Sequence, residues 1–423
     1  PARDAKVLIR LSLHRLAQQP ARHSIDAAAA TNLSTISNVS RAYASGAGSS
    51  LPKGLTMTPQ FHPLRINRLE RFGDFAVAIG FEVPDGLAEA YRYLPGQYLT
   101  LRAKIDGAEV RRPYSICTPP HKGALGIGIK YVEGGLFSGF AVEKLALGDV
   151  VDVMTPQGRF TYVDSQKRDD SPGRDFLLLA AGSGVTPILS IAETVLATGR
   201  AKDRVTLVYG NRNSDSIMFR DHVEYLKDRF LERCRVLHVL SREPRDADIL
   251  NGRIDGDKVA ALIDGGLVEP GRLKAAYLCG PDTMMKSCRI ALEEAGLAPE
   301  NIATEHFATS AQVFSASKRA VAEKKADIEE GVAVQVRAGG LTRKFMMNPM
   351  QQTVLSAGQA AGFELPYSCE AGMCCTCRCL LVSGEVEMDA NYSLEPWEIE
   401  AGFILSCQAR PKTKSLIVDF DNL

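Results

Sequence analysis

The residues with the clearest chemical meaning are Cys369, Cys374, Cys377 and Cys407. Their spacing is C-x₄-C-x₂-C, then 29 residues, then a fourth cysteine. This is the plant-type spacing for a [2Fe–2S] cluster. Three thiolates on one tight loop and a fourth from a distant segment can surround two irons tetrahedrally. The small residues Ala371, Gly372 and Thr376 let the backbone wrap closely and turn N–H groups toward the sulfurs. The competing reading is reduced buried thiols or disulfides. Four matching ligand positions and the scatter of Cys117, Cys234, Cys279 and Cys288 argue against it. Cys375 and Cys379 fill no ligand slot and are expected to be small apolar residues packed near the cluster.

Other stretches carry weaker signals. In Arg112-Pro113-Tyr114-Ser115 an Arg can hold a pyrophosphate bidentately. A Tyr two residues along a strand faces the same side and can stack on a ring, and a Ser can hydrogen-bond a ring nitrogen. Gly134-Gly135-Leu136-Phe137-Ser138 opens a helix-like stretch at 140–145 with N–H groups suited to phosphate. Gly182-Ser183-Gly184-Val185-Thr186-Pro187 follows a continuous apolar run at 175–181 and precedes an amphipathic stretch. A Gly-rich turn between a buried strand and a helix suits a dinucleotide pyrophosphate.

These residues need elements to position them. Residues 57–168 read as all-β: short apolar runs at 64–69, 75–81, 98–101 and 126–132, separated by Gly, Pro and Asp, predict an antiparallel β-barrel. Residues 172–308 alternate strands (175–181, 205–209, 235–240, 275–279) with helical patterns (216–230, 255–263, 281–295), which predicts an α/β doubly wound domain. A polar, Lys-rich stretch at 309–329 reads as a linker. Residues 330–423 combine strands at 332–337, 342–347, 378–383 and 415–420 with a helix at 353–361, the mixed sheet expected of a β-grasp ferredoxin domain.

Residues 1–56 hold Arg3, Lys6, Arg10, Arg15, Arg22, Arg41 and Lys53 against only Asp4 and Asp26. Composition favours a disordered extension, with Met57 as the natural initiator. The alternative is an organellar transit peptide, which would make the protein mitochondrial rather than cytoplasmic. Lys+Arg and Asp+Glu balance at 50 each, so no global field for nucleic acid or an anionic membrane is expected. No apolar run approaches the length of a membrane-spanning helix.

Taken together, Arg112-Pro113-Tyr114-Ser115, Gly135-x-x-Ser138, the 182–187 turn, Tyr209-Gly210-Asn211-Arg212, Cys279-Gly280-Pro281 and Glu305-His306-Phe307 stand in the order found in ferredoxin-NADP⁺-reductase-type flavoproteins. With its C-terminal ferredoxin module the chain resembles the reductase components of multicomponent oxygenases. Within them, the runs 384–392 and 405–408 are similar to the phenylacetyl-CoA epoxidase reductases. Ketosteroid hydroxylase reductases share much of the pattern. The resemblance covers residues from about 57 onward.

It implies FAD, NADPH (NADH as the alternative) and a [2Fe–2S] cluster as cofactors. Arg112 would bind the FAD pyrophosphate within its Pro113-containing motif, Tyr114 would stack on the isoalloxazine, and Ser115 would hydrogen-bond near N5. Gly135 and Ser138 would line the FAD phosphates. Gly182, Gly184 and Thr186 would cradle the nicotinamide dinucleotide. Cys279 would sit near the nicotinamide, and Glu305 near the flavin–nicotinamide contact. Ser241 and Arg242, assisted by Arg212, would hold a 2′-phosphate, which favours NADPH.

The expected function is therefore electron transfer from NADPH through FAD and the cluster to a partner terminal oxygenase, of the di-iron phenylacetyl-CoA epoxidase type. None of the seven histidines follows a Glu by three residues, so the Glu-x-x-His pair of helical di-iron sites is absent and the oxygen chemistry belongs to a partner. One alternative is a reductase for a Rieske-type aromatic-ring or steroid hydroxylase. Another, from a different class, is a redox-sensing binding protein. Glu370, Glu385 and Glu387, near the cysteine loop, are candidates to steer the acceptor.

Overall fold

Six strands build the first domain: β1 (Phe61–Phe72), β2 (Ala76–Glu82), β3 (Tyr98–Ile105), β4 (Ala108–Ser115), β5 (Leu125–Lys130) and β6 (Val150–Met154). They run antiparallel in the order β4-β3-β6-β1-β2-β5. A bridge from Ile116 to Ile127 joins the two outer strands and closes a barrel. Residues two apart share a face, so Leu64 and Ile66, Val77 and Ile79, Leu99 and Leu101, and Ile127 and Ile129 fill the interior. The helix Leu136–Glu143 buries Phe137 and Ala141 against this core. It starts earlier than the sequence pattern indicates. The Val132 N–H donates to the Ser138 hydroxyl (3.1 Å), which ties the Gly134-Gly135 turn into the first helical turn.

The second domain is a parallel sheet of β7 (Asp175–Ala181), β8 (Arg204–Asn211), β9 (Cys234–Leu240), β10 (Leu273–Cys279) and β11 (Ile302–Glu305), in the order β11-β10-β7-β8-β9. The unbroken apolar run in β7 has a simple cause. Phe176, Leu178 and Ala180 enter one core, and Leu177 and Leu179 enter another on the opposite face. The chain winds outward from β7 to β9, then crosses back to β10, so a topological switch point lies between β7 and β10. β11 is four residues long and carries no apolar period to announce it.

The third domain places β12 (Val332–Ala338), β13 (Leu341–Met347), β14 (Arg378–Ser383), β16 (Phe403–Leu405) and β18 (Ser415–Asp419) in one sheet, ordered β13-β12-β18-β14-β16. β12 and β18 are parallel and the other pairings antiparallel. β15 (Val386–Met388) and β17 (Ala409–Pro411) form a separate pair. The helix Val354–Ala360 packs Val354 and Leu355 into the core, with Thr353 and Ser356 closing a reciprocal cap at its start.

This computed structural model describes residues 60–163, 173–307, 331–350 and 352–422. The expected extension at 1–56 and linker at 309–329 lie outside the described residues. Among those described, no helix is long and apolar enough to cross a membrane. The three domains belong to one packed unit. The His306 and Tyr392 rings meet at 6.4 Å between the second and third, and Tyr98 and Arg159 bind the third to the barrel.

Candidate functional site

The barrel contributes the end of β4. In the β3–β4 ladder Tyr98 lies opposite Ser115, Leu99 opposite Tyr114 and Leu101 opposite Arg112. Ser115 is buried, while Arg112, Pro113 and Tyr114 are half-buried. The Tyr114 ring packs on Phe137 at 5.7 Å, which brings the helix carrying Ser138 alongside it. A Cβ at Gly135 would stand 2.6 Å from the Ser138 oxygen and 2.9 Å from the Val132 carbonyl, so only glycine fits. A guanidinium, an aromatic ring, a buried hydroxyl and a glycine-opened helix together suit a flavin dinucleotide.

The second domain contributes the turn after β7. Gly182 has φ +55°. A Cβ at Gly184 would meet the Cys279 carbonyl at 2.1 Å, so glycine alone lets this turn close on the end of β10 at the switch point. The Thr186 hydroxyl donates to the Ser183 carbonyl (3.0 Å). Tyr209, to which sequence reading gave no positioning role, donates its hydroxyl to the Gly182 carbonyl (3.1 Å) and holds the turn from below. Lys130 was also missed. Its nitrogen lies 3.5 Å from where a Gly182 Cβ would stand, and burial, then the Arg212 charge, push its pKa down. The available signal was a cation at the end of an otherwise apolar strand.

Ser241, Arg242 and Arg212 also converge. The Arg242 N–H donates to the Arg212 carbonyl (2.8 Å) and the Ser241 N–H to the Asn211 carbonyl (3.0 Å), extending the β8–β9 pairing past the strand ends. Both arginines are exposed. The adjacent Glu243 carboxylate is engaged by the Ser214 N–H (2.7 Å) and hydroxyl (2.5 Å), and those bonds hold its pKa below the ordinary value. Two cations beside an occupied acid suit a phosphate better than a ribose diol.

Cys279 and Glu305, expected near the nicotinamide, are register partners in the β10–β11 ladder. Burial, then the nearby Glu305, keeps the Cys279 thiol protonated. The Glu305 carboxyl is pushed up to about 8, first by loss of solvent and then by Cys374, against the opposing charge of Arg159. Glu305 thus stands where all three domains meet.

Cys369, Cys374, Cys377 and Cys407 come together as two pairs. Cys369 lies beside Cys374, and Cys377 beside Cys407. Cys377 also feels the charges of Cys374 and Cys369. Among the described residues no three such groups converge on a single metal ion. Two pairs are what two bridged irons require, two thiolates each. The Ala371 N–H donates to the Cys369 sulfur (3.4 Å), and the Gln408 amide lies 3.4 Å from that of Cys407. This donor set fits a [2Fe–2S] cluster.

Cys379 is a core residue and Cys375 packs against the same core, as read, but Cys375 also carries polar contacts. Held at φ +54°, it donates to the Ser393 hydroxyl (3.0 Å) and receives an N–H from Arg159 of the barrel (3.2 Å). Glu370, Glu385 and Glu387 are all exposed. Glu370 is within electrostatic reach of Arg112 and Arg111 of the barrel, and Glu387 pairs with Lys412 (3.1 Å). Sequence proximity to the loop could not reveal that one side of it is covered.

The chain matches three domain families: oxidoreductase FAD-binding domain over residues 78–162, oxidoreductase NAD-binding domain over 178–289, and 2Fe-2S iron-sulfur cluster binding domain over 336–412. FAD, a nicotinamide dinucleotide and a [2Fe–2S] cluster are therefore its cofactors, and it is an oxidoreductase. It is 42% identical over 361 residues to a component of the 1,2-phenylacetyl-CoA epoxidase of Escherichia coli K12, covering 85% of this chain and 98% of that one. It is 33% identical to the ferredoxin reductase component of 3-ketosteroid-9-alpha-monooxygenase from Rhodococcus rhodochrous, covering 81% of this chain and 92% of that one. An intact type IV self-sufficient cytochrome P450 monooxygenase shares the fold: TM-score 0.56 at 23% identity, over 85% of this chain and 41% of that one. The ordered FAD-binding, NAD-binding and 2Fe-2S domains, with matches spanning nearly the whole length of the epoxidase and ketosteroid relatives, show that the chain belongs to the family of reductase components of multicomponent oxygenases.

Proposed function

We propose that this protein carries electrons from NADPH to a terminal oxygenase of the phenylacetyl-CoA epoxidase type. The observation that carries the reading is the junction at Glu305. Its ladder partner Cys279 closes the nicotinamide crevice, and the cluster-loop residue Cys374 and the barrel's Arg159 lie within electrostatic reach of it. The nicotinamide crevice, the cluster loop and the barrel thus meet at one point.

When bound, FAD supplies the conversion between the two electrons of a hydride and the single electrons a [2Fe–2S] centre accepts. The chain's own residues do the rest. Arg112 holds the FAD pyrophosphate, Tyr114 faces the ring and Ser115 offers its buried hydroxyl to a ring nitrogen. Gly135 and Ser138 receive the phosphates. Gly182, Gly184 and Thr186 cradle the dinucleotide, with Lys130 over the turn. Arg212, Ser241 and Arg242 take the 2′-phosphate. Cys279 packs at the crevice floor, and Glu305 holds a proton beside it. Cluster thiolates need a reducing compartment, which supports a cytoplasmic site of action.

The higher identity to the epoxidase component than to the ketosteroid monooxygenase component favours the di-iron acceptor over the steroid hydroxylase reading. The test is anaerobic mixing with NADPH or NADH, followed by reconstitution with the other epoxidase components and phenylacetyl-CoA. Bleaching of flavin and then cluster bands, with epoxide formed, is expected. A holoprotein that bleaches with neither nucleotide would sink the reading.

A further inference from the structure

We propose that Tyr98, a barrel residue, is a positioning residue for electron transfer: it fastens the cluster loop to the flavin-motif strand and keeps the Thr376 proton away from the Cys374 sulfur. The proposal rests on the electron-transfer reading above.

Tyr98 opens β3 and lies opposite Ser115 in the ladder. Its ring leaves the barrel and is 3% exposed. Exchanged backbone bonds with Gln157 (2.8 and 2.9 Å) fix its main chain. Gly158, at φ +110°, packs on the ring, where a Cβ would come within 2.9 Å. The phenol oxygen reaches the cluster loop, 2.6 Å from the Cys374 carbonyl and 2.7 Å from the Thr376 hydroxyl. Two residues along β3, on the same face, the Thr100 hydroxyl donates to Ser368, beside Cys369 (2.9 Å). One strand therefore carries the flavin motif's partner and three bonds to the segment that holds three cluster thiols.

Proton counting gives the second half. A carbonyl only accepts, so the single phenol proton goes to Cys374. The Thr376 hydroxyl must then donate to the phenol oxygen. Thr376 Oγ1 also lies 3.2 Å from the Cys374 sulfur, and its one proton cannot serve both. With Tyr98 in place, a thiolate at Cys374 goes without that hydrogen bond. Hydrogen bonds to cluster sulfurs are among the determinants of reduction potential, because they favour the more negative, reduced state.

The test uses the holoprotein of wild type, Tyr98→Phe, Thr376→Val and the double variant. Amide exchange over 368–377 and the cluster's reduction potential and electron paramagnetic resonance signature are measured, with flavin and cluster reduction followed separately after NADPH. Tyr98→Phe should cost about tenfold in loop protection, the equivalent of one hydrogen bond, lower the ratio of cluster to flavin reduction rates, and raise the cluster potential. Thr376→Val in the same chain should abolish the rise in potential, since the released proton is gone. Wild-type protection and potential in Tyr98→Phe would overturn the proposal. So would a potential shift that persists in the double variant, which would indicate general loosening. Failure of the electron-transfer reading itself would appear instead as a wild-type cluster that NADPH never reduces.

Discussion

Arg159 of the barrel and Glu398 of the third domain form an ion pair whose carboxylate is wholly buried and shared with Arg378. Arg159 also donates to the Ser393 carbonyl (2.7 Å), and Glu398 accepts the Glu395 N–H (3.0 Å) at the start of the helix Pro396–Glu400. Burial pushes the Glu398 pKa up, but the bonds from Arg159 and the Arg378 charge outweigh it and hold the carboxyl below the ordinary value. Removing one partner of a buried pair strands the other. Arg159→Ala should cost about 2 kcal/mol, less than a fully unpaired charge because Arg378 remains. Denaturant melts of the two single variants and the pair would check this. A coupling energy of about 1–3 kcal/mol is expected.

The thiols separate into ligands and neighbours. Ser in place of Cys369, Cys374, Cys377 or Cys407 should lower bound iron and sulfide and bleach the cluster bands. Cys379→Ala should retain the cluster and cost about 1–2 kcal/mol of core packing. Cys375→Ser should keep iron content at wild type, since its contacts are to Arg159 and Ser393. Iron and sulfide analysis of the six variants decides it.

Arg242 and Arg212 meet through a backbone bond at the ends of β9 and β8. A charge-assisted contact to phosphate is worth about 1.5–3 kcal/mol, so Arg242→Ala should raise the KM for NADPH about tenfold or more. The KM for NADH, which lacks the 2′-phosphate, should barely move. Equal effects on both nucleotides would remove the 2′-phosphate assignment.

Glu193, buried on the helix Val185–Thr198, pairs with Lys122 of the barrel and with His222 Nε2 at 3.1 Å. Burial raises its pKa, and the bonds from His222 and Lys122 reverse this, leaving it below 4.5. A depressed carboxyl stabilises the fold fully above its unfolded value and loses that contribution as pH falls through the folded value. Glu193→Gln should therefore cost about 1–2 kcal/mol at neutral pH. The gap between variant and wild type should close in acid below 4.5. Urea midpoints across that range provide the measurement.

Much of this molecule is legible in the chain because its signals are local. The β7 run and the glycines after it, the cysteine spacing, and the 2.0 and 3.6 periods each depend on residues close in sequence. They determine three kinds of domain and the cofactor suited to each. Elements without a period were invisible: β11, β15, β16 and β17 are three or four residues long, and tertiary contacts rather than propensity make them strands.

What only the tertiary structure decided is how the domains face one another. Tyr98 and Cys374 are 276 residues apart, and no local pattern can announce a bond over that span. The same holds for Arg159 beside Cys375 and Glu398, and for Glu370 within electrostatic reach of Arg112. Chain sequence names the donors, thiols and charges. Which of them share a buried, low-dielectric junction, where a proton or a charge counts most, is settled only when the three folds are packed together.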